Sequence, residues 1–258
     1  MPHPLWTGSI NFGLITIPVR MYTAAVEREL SFHMLHEKDL SPIRFARICR
    51  ADGKEIPQDD IVKGYEYRDG DYVILHDEDF KKADVHKTKS IDIVEFSDAA
   101  SIDPIYFEKP YYLEPAPGAA KAYVILREAL VKSGKVGVAK YVLRNKEHIG
   151  ILKAEGNALI LDQMRYKDEM TKPKLHIPEG HPSKREISMA IKLIDQFSGA
   201  FHPEKFHDAY SKDLEKVIEK KAHGKPVHVK GVEPKPTKAP DIMAMLKASL
   251  EKEHAKAR

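Results

Sequence analysis

The sequence has almost no cysteine: Cys49 is the only one among its 258 residues. A single cysteine excludes an intramolecular disulfide and a zinc site built from several thiolates. Such cysteine usage is typical of a reducing compartment, so we expect a cytoplasmic protein. Long hydrophobic runs are absent too. No stretch of about 18 apolar residues could cross a membrane, and the N-terminus lacks the charged and apolar regions of a secretory signal.

The sequence also lacks the short motifs of common catalytic sites. It contains no GxxxxGK[ST], GxSxG, HExxH or CxxC pattern. His33 and His36 would point to opposite faces of a strand, so they do not predict a shared metal. We therefore expect no catalytic residue, no metal and no cofactor, and we do not expect an enzyme.

One acidic cluster keeps a Mg²⁺-dependent DNA nuclease open as an alternative. Asp77, Glu78 and Asp79 are adjacent in the sequence, and carboxylates can hold Mg²⁺ for nucleolytic chemistry. Adjacent carboxylates at the end of a strand are more commonly part of a solvated turn, and this is the interpretation we favour.

Positive charge is concentrated in one part of a chain whose net charge is only +3. Between Lys109 and Lys153 the sequence has nine Lys or Arg residues and three Glu residues. Because the whole chain is only mildly basic, a nucleic-acid partner would need such a concentration on one surface. The segment therefore predicts a surface that binds anions.

The centre of this basic segment, residues 133–152, has the pattern of a β-strand that follows a helix. Its sequence is SGKVGVAKYVLRNKEHIGIL. Side chains alternate faces along a strand, so Lys140 and Arg144 should share a face with the valines of the segment. A mostly apolar face that carries two cations is suited to an anion. Solvated charges on the outer face of a half-exposed sheet would give the same pattern.

The first hundred or so residues predict many short β-strands. Residues 5–22 are rich in β-branched and aromatic side chains and predict one strand, or two joined at a bend, with Gly8 and Gly13 as the bend or bulge positions. Short strands at close spacing are typical of a barrel or a sandwich. We therefore expect a β core at the start of the chain.

Further strands follow in the same part of the sequence. Residues 31–56 predict two strands broken at residues 39–42, and Arg68-Asp69-Gly70-Asp71 predicts the turn of a hairpin. More extended chain is predicted at residues 90–96 and 105–113. These segments complete the N-terminal β region.

A helix and a second hairpin are predicted on either side of the basic segment. Apolar residues recur at helical spacing over residues 119–132, and Gly134 is a typical stop. Beyond the basic segment, residues 149–153 and 158–164 should pair around a turn at residues 155–157.

Two amphipathic helices and a linker are predicted towards the C-terminus. Ser183 and Glu186 have the spacing of a capping box before the first helix, and the second should end at Gly224. Residues 225–240 contain four prolines and predict a semi-extended linker. Residues 241–252 predict a short helix whose apolar stripe docks on its own domain or in a groove of another protein.

Five segments, in this order along the chain, together resemble the bacterial Ku family, the DNA-end-binding factors of non-homologous end joining. The match runs from about Leu5 to Lys252. It rests on the segments WTGSINFGLITIPVRMYTA, IVKGYEYRDGDYVIL, IDPIYFEKPYYLEP, AYVILREALVKSGKVGVAKYVLRNKEHI and DIMAMLKASLE. No single segment is specific, but five in the right order make the resemblance specific.

The resemblance implies a mainly β fold with α-helices. A β-barrel core with an extended arch forms half of a dimeric ring, and a C-terminal helical arm and a tail helix follow it. The implied domains are the barrel and arch core at residues 1–178, the helical arm at 179–224, the Pro-rich linker at 225–240 and the tail helix at 241–258. The N-terminal von Willebrand-like domain of eukaryotic relatives is expected to be absent.

The resemblance also implies function and partners. A homodimeric ring threads onto duplex DNA, protects and bridges double-strand ends without reading their sequence, and works at the nucleoid in the cytoplasm. It has no membrane partner. The tail helix is expected to recruit an ATP-dependent DNA ligase through Ile242, Met243, Leu246 and Leu250. The chain ends at EKEHAKAR, without the longer Lys-rich tail of many bacterial members.

A ring that slides onto any end should hold the phosphate backbone through Lys and Arg rather than read base edges. The DNA-binding residues expected in or near the basic segment are Lys109, Lys135, Lys140, Arg144 and Lys146. Those expected earlier in the chain are Arg20 and, in the arch to which we assign residues 44–63, Arg44, Arg47, Arg50, Lys54 and Lys63.

Two points remain open at this stage. On a strand, Arg47 would lie opposite Arg44 and Arg50, so not all three should touch DNA. A general single-strand or RNA binder built on a barrel is a further alternative, and it would need aromatic side chains on which bases can stack.

Overall fold

The computed structural model describes residues 3–26, 28, 30–83, 89–224 and 243–249. The chain divides into two compact units, Met1–Lys172 and Pro173–Arg258. All strands of the described residues belong to the first unit. The expected domain boundaries at residues 178, 224 and 240 remain predictions.

Nine strands are present in the described part of the chain. They are β1 (Trp6–Phe12), β2 (Ile15–Thr23), β3 (Lys63–Arg68), β4 (Asp71–Leu75), β5 (Ser90–Asp98), β6 (Phe107–Pro115), β7 (Lys135–Leu143), β8 (Lys146–Glu155) and β9 (Ala158–Met164). Seven of them close into a barrel in the spatial order β1-β2-β6-β9-β8-β7-β5. Neighbouring strands are antiparallel except β1 and β5, whose parallel pairing closes the barrel. The expected mainly β fold with a barrel core is confirmed.

Aliphatic side chains from alternate strand positions fill the barrel. In β2, Ile17, Val19 and Met21 are fully buried, whereas the residues between them are exposed or half-buried. Leu159 and Leu161 of β9 are also fully buried. Burying one such side chain contributes about 1.5–3 kcal/mol. The period-two pattern therefore fixes which face of each strand lies inside.

Two glycines predicted to be bends have different roles. Gly13 has a φ of 56° and lies in the turn between β1 and β2, which confirms the bend there. Gly8 lies in a regularly paired part of β1, so a bend or bulge at Gly8 is wrong. A Cβ atom on Gly8 would lie 2.1 Å from the carbonyl oxygen of Lys89 and 2.2 Å from a ring carbon of Trp6. Close packing, and not a bend, requires glycine there.

The single strand predicted for residues 133–152 is wrong, because the segment contains two strands. β7 ends at Leu143, which pairs with Lys146 at the start of β8. Arg144 and Asn145 form the turn with φ values of 52° and 64°. Two residues with positive φ match the twist of a tight hairpin. Asn145 could have indicated this turn in the sequence, because Asn tolerates positive φ. The next hairpin, β8–β9, turns at Gly156 as expected.

A separate two-stranded sheet lies between β2 and β5 in the sequence. β3 and β4 pair as the predicted hairpin around Gly70, and helix α1 (Asp77–Ala83) follows. The two strands predicted for residues 31–56 are wrong. Only isolated bridges join Leu35 to Pro42 and Ile48 to Glu55. Nearly all side chains there are exposed, so no sheet face is buried that would stabilise longer pairing.

Helix α2 (Ala120–Ser133) packs against β7 and β8 through Tyr123, Leu126 and Leu130. The hydroxyl of Tyr123 donates to the Leu113 carbonyl and accepts from the Leu159 amide, each at 2.6 Å. The helix ends at Gly134, which has a φ of 66°. The predicted helix and its glycine stop are confirmed.

The second unit contains helices α3 (Lys184–Phe197) and α4 (Ala209–Ala222). The capping box is confirmed: the Ser183 hydroxyl accepts from the Glu186 amide, and the Glu186 carboxylate accepts from the Ser183 amide at 2.7 Å. Gly224, with a φ of 66°, follows the end of α4 as expected. Neither helix has a buried residue, so their apolar side chains are exposed or half-buried.

Residues 243–249 are helical and lie inside the predicted tail helix. Of its docking residues, Met243 and Leu246 are half-buried, whereas Ile242 and Leu250 lie outside the described residues. The predicted linker at 225–240 lies outside them as well. Within the described ranges, no helix has the length and apolar character that a membrane span requires.

Candidate nucleic-acid interface

The β7–β8 hairpin carries the cations that the sequence places at the centre of the expected DNA surface. Tyr141 and Leu143 are 2% and 8% exposed and face the core, whereas Lys140 is exposed on the other face. Val138 and Val142 flank Lys140 on that outer face and are half-buried. A lysine among valines on one face of β7 is therefore confirmed. Arg144 does not belong to this face because it lies in the turn.

Lys140 is paired with a carboxylate on the neighbouring strand. Its Nζ lies 3.3 Å from Glu147 Oε1, and the same oxygen accepts a hydrogen bond from the Tyr166 hydroxyl at 3.2 Å. Partial burial and the nearby Glu147 raise the pKa of Tyr166 to about 12. The phenol is therefore protonated and donates at neutral pH. Glu147 is thus shared between a lysine and a tyrosine.

Lys146 is paired with a carboxylate beyond the end of β9. Its Nζ lies 2.6 Å from Glu169 Oε1, and Glu169 Oε2 accepts from the Tyr166 amide at 2.9 Å. The hydrogen bond to Glu169 raises the pKa of Lys146, and the same bond lowers the pKa of Glu169. Both groups are therefore charged at neutral pH.

Two further expected DNA-binding residues on the barrel are also paired. Lys135 Nζ, at the start of β7, lies 2.7 Å from Asp98 Oδ1 at the end of β5. Arg20 of β2 lies 3.9 Å from Glu114 Oε2 of β6, an oxygen that also accepts from the Tyr22 hydroxyl at 2.7 Å. Each cation is thus partly neutralised by a carboxylate on an adjacent strand.

Two expected cations have no carboxylate partner among the described residues, and one of them lies over an aromatic ring. Arg144 is exposed and forms no ion pair with any described residue. Burial raises the pKa of Tyr111, and the positive charge of Arg144 opposes that shift. Lys63 Nζ lies 4.8 Å from the centre of the Phe80 ring, a cation–π distance.

Of the arch cations, Lys63 begins β3, whereas Arg44, Arg47, Arg50 and Lys54 lie on irregular chain. Arg44 pairs with Glu55 at 3.8 Å, and Lys54 pairs with Asp52 at 3.4 Å. The side chains of Arg44 and Lys54 are 87% and 79% exposed. Ion pairs this exposed are weak, so both cations can be reached by another anion.

Three more expected cations are exposed and have no ion-pair partner in the part of the chain that the structure describes: Arg47, Arg50 and Lys109. The prediction that Arg47 lies opposite Arg44 and Arg50 assumed a strand, and no strand is present in residues 31–56. Whether any of these residues touches DNA stays a prediction.

Sequence reasoning missed the carboxylates that hold the barrel lysines. If the turn at Arg144 had been predicted, the register of the hairpin would have put Glu147 diagonally opposite Lys140. At that distance a long side chain can reach it. Glu169 lies 23 residues from Lys146 in the sequence. No local pattern could have joined these two residues.

A second polar cluster extends from buried Gln163, Tyr111 and Tyr141 to the exposed residues Glu108 and Arg165. Gln163 Oε1 accepts from the hydroxyls of Tyr141 and Tyr111 at 3.0 and 3.4 Å, and its Nε2 donates to Glu108 at 3.0 Å. Glu108 also pairs with Arg165 at 3.4 Å. Buried polar groups need such partners. The cluster therefore uses its polar atoms internally and supports the barrel.

The acidic cluster weighed for a nuclease forms the first turn of helix α1, where Asp77 and Glu78 are exposed to solvent. Asp79 accepts from the His76 amide at 3.0 Å and pairs with Lys82 at 3.8 Å. Carboxylates in a first helical turn are favoured by the helix dipole. No group of three His, Cys, Asp or Glu within the described ranges is arranged to hold a metal ion.

A closed seven-stranded barrel with a helix packed on two of its strands, and with exposed Lys and Arg that are mostly paired with carboxylates, defines a mainly β protein. A family model of the Ku70/Ku80 beta-barrel domain matches residues 11–189. A relative from Opitutus terrae, named "Non-homologous end joining protein Ku", is 41% identical over 254 residues, which cover 95% of this chain and 90% of that relative.

Two further relatives carry the same name. The protein from Koribacter versatilis is 39% identical over 250 residues and that from Bacillus subtilis is 36% identical over 261 residues. Each match covers 97% of this chain, with 86% and 82% of the respective relatives. The chain belongs to the Ku family, and the resemblance found in the sequence is confirmed.

Proposed function

We propose that this chain binds the ends of double-stranded DNA without reading their sequence and acts in non-homologous end joining. The observation that carries the proposal is the match, at 41% identity over 95% of the chain, to a relative named after that process. The proposed activity is binding without a catalytic step or a cofactor. It belongs to the cytoplasm, at the nucleoid.

Exposed cations support contact with the phosphate backbone. Neutralising phosphates with Lys and Arg releases counterions and does not depend on base sequence. We assign this role first to the cations that have no described carboxylate partner, which are Arg47, Arg50, Lys63, Lys109 and Arg144. The paired cations must exchange a carboxylate for a phosphate, and these are Arg20, Arg44, Lys54, Lys135, Lys140 and Lys146.

We also propose that two copies form a ring around the duplex. Large apolar side chains are exposed in each unit: Phe45 in the arch is 83% exposed and Phe197 at the end of α3 is 67% exposed. Exposed apolar surface of this kind favours a protein partner. A twofold ring would also double the number of cations that face DNA.

The tail helix is the proposed docking element for an ATP-dependent DNA ligase. Met243 and Leu246 lie three residues apart in the helical stretch 243–249, which is the spacing of one helix face. Short helices of this kind bind in grooves on other proteins. Ile242 and Leu250 are proposed to extend the same stripe.

A competition experiment tests the proposed function. Labelled linear duplex is bound by the full chain and challenged with unlabelled linear DNA or with covalently closed circles of the same sequence. Linear DNA should compete well and circles poorly, because a closed ring can enter a duplex only at an end. The free protein should then have the mass of two chains by light scattering.

Circles opened by one restriction cut are the matched control, and they should compete like linear DNA. Equal competition by closed circles would contradict threading. If the protein does not bind linear duplex at all, DNA-end binding itself is wrong.

A further inference from the structure

Two carboxylates join the β7–β8 hairpin to the chain segment that follows β9. Glu147 of the hairpin is bonded to Lys140 and to the Tyr166 hydroxyl. Glu169 of the segment is bonded to Lys146 of the hairpin and to the Tyr166 amide. We call these five residues the carboxylate latch.

The latch neutralises Lys140 and Lys146, the two lysines nearest the turn of the hairpin. Its two cross-links between hairpin and segment are Tyr166 to Glu147, at 3.2 Å, and Lys146 to Glu169, at 2.6 Å. Each carboxylate is also held by a second donor, which fixes its position. In the arch, by contrast, Arg44 is 87% exposed and lies 3.8 Å from its partner.

The lysines of the latch remain accessible to a larger anion. The side chains of Lys140 and Lys146 are 50% and 59% exposed. A phosphate that approaches either lysine meets a carboxylate already bound there, with the same charge sign and the same hydrogen-bonding geometry. Phosphate and carboxylate must therefore compete for the same ammonium groups.

We propose that Glu147 and Glu169 are built-in competitors for DNA phosphate at Lys140 and Lys146, and that DNA binding on this face opens the latch. This inference rests on the proposed binding of DNA. When Lys146 turns to a phosphate, Glu169 loses its cation and is repelled by the DNA, so the segment that carries Tyr166 moves away from the hairpin.

The competition has a direct consequence for how the protein holds DNA. Each contact between a latch lysine and a phosphate requires one ion pair to break. The net free energy of that contact is therefore small, and the hairpin binds the DNA backbone weakly. Weak, sequence-independent contacts let a protein slide along a duplex. The two glutamates thus set affinity and mobility without contacting a base.

Isosteric variants test the proposal by equilibrium binding of the full chain to linear duplex over a series of salt concentrations. Glu147→Gln and Glu169→Gln remove one negative charge each but can still accept the hydrogen bond from Tyr166. We expect each variant to bind about fivefold more tightly, because no ion pair has to be broken, with the log–log salt slope unchanged, because the same lysine reaches a phosphate in the wild type once the latch has opened.

Glu155→Gln is the matched control. Glu155 lies on β8, as Glu147 does, but at the other end of the strand, and it pairs with Lys153 at 3.9 Å. Lys153 keeps a second partner, Asp162, at 2.7 Å. The control therefore removes the same negative charge from the protein without freeing a lysine, and it should bind linear duplex with the affinity of the wild type.

NMR of ring-labelled tyrosine provides a second readout, which a purely structural role would not change. The Tyr166 hydroxyl donates to Glu147 between segment and hairpin, so opening of the latch by linear duplex should shift the Cζ resonance of Tyr166 in the wild-type protein. If the wild type binds duplex but both variants match Glu155→Gln, or if this resonance does not shift, the inference is wrong and the proposed function stands. If the wild type does not bind duplex, both fail.

Discussion

Arg144 combines an exposed guanidinium with a left-handed backbone, at a φ of 52°. For a residue other than glycine this conformation costs about 1–2 kcal/mol. The turn places Arg144 beyond the last ladder pair of the hairpin, Leu143 with Lys146, and the arginine has no described carboxylate partner. The strained turn thus presents a cation that forms no ion pair with the residues described by the structure.

Charge reversal at this position should weaken DNA binding. We expect Arg144→Glu to reduce the affinity for linear duplex by about tenfold, since one phosphate contact is lost and a repulsion is gained. The loss should be equal for two duplexes of unrelated sequence, measured at one salt concentration. Lys132→Glu, at an exposed position in the last turn of α2, is the charge-matched control. A loss confined to one sequence would argue against backbone recognition.

The seam between β1 and β5, which closes the barrel, requires glycine at position 8, where a side chain would not fit. We expect Gly8→Ala to lower the free energy of unfolding by about 1–3 kcal/mol, the usual cost of overpacking, because the new Cβ would clash with Trp6 and with the backbone of Lys89. Trp6 is the only tryptophan, so its fluorescence during urea unfolding reports on this seam.

Gly180→Ala is the matched substitution, because a Cβ atom there has no neighbour within 4 Å. It should leave the unfolding midpoint nearly unchanged. An unchanged midpoint for Gly8→Ala would mean that the seam relaxes around the extra methyl group.

At the scale of elements, local signals fixed those helices and hairpins whose ends carry turn or cap residues. Ser183 with Glu186, Gly134 and the Arg68–Asp71 turn each satisfy a local backbone requirement. Residues 31–56 have the composition of strands, but nearly all of their side chains are exposed and do not pack on a hydrophobic core. Composition alone cannot replace the burial that stabilises a sheet.

The tail helix allows a test in which one element is changed and the barrel is left intact. We expect Leu246→Asp to leave DNA binding unchanged but to abolish stimulation of an ATP-dependent DNA ligase from the same organism, because a charge would enter the apolar docking stripe. Lys247→Ala, at an exposed position of the same helical stretch, should retain stimulation. Ligation measured on linear duplex distinguishes the two variants. Normal stimulation by Leu246→Asp would exclude this helix as the docking element.

At the scale of the whole molecule, the net charge is only +3 although the proposed ligand is a polyanion. Many of the expected DNA-binding cations are paired with carboxylates, so the total charge says little about where phosphate can bind. The distribution of unpaired cations, doubled in the proposed ring, is the relevant quantity. Affinity for DNA should accordingly depend on which ion pairs open.

The sequence by itself determined the family, the mainly β class, the position of α2 and the hairpins around Gly70 and Gly156. These features follow from periodicity and from residues that favour particular backbone angles, which act over a few positions. The family was inferred instead from the five ordered segments, which extend over nearly the whole chain.

Only the tertiary structure decided how the barrel closes and which carboxylates neutralise its lysines. β1 meets β5 through Ser9–Asn11 and Ser90–Asp92, and Lys146 meets Glu169 across 23 residues of chain. Such contacts form between segments far apart in sequence, and their partners depend on strand order and register. A local pattern can place a lysine on a strand face, but only the folded barrel shows which carboxylate already holds it.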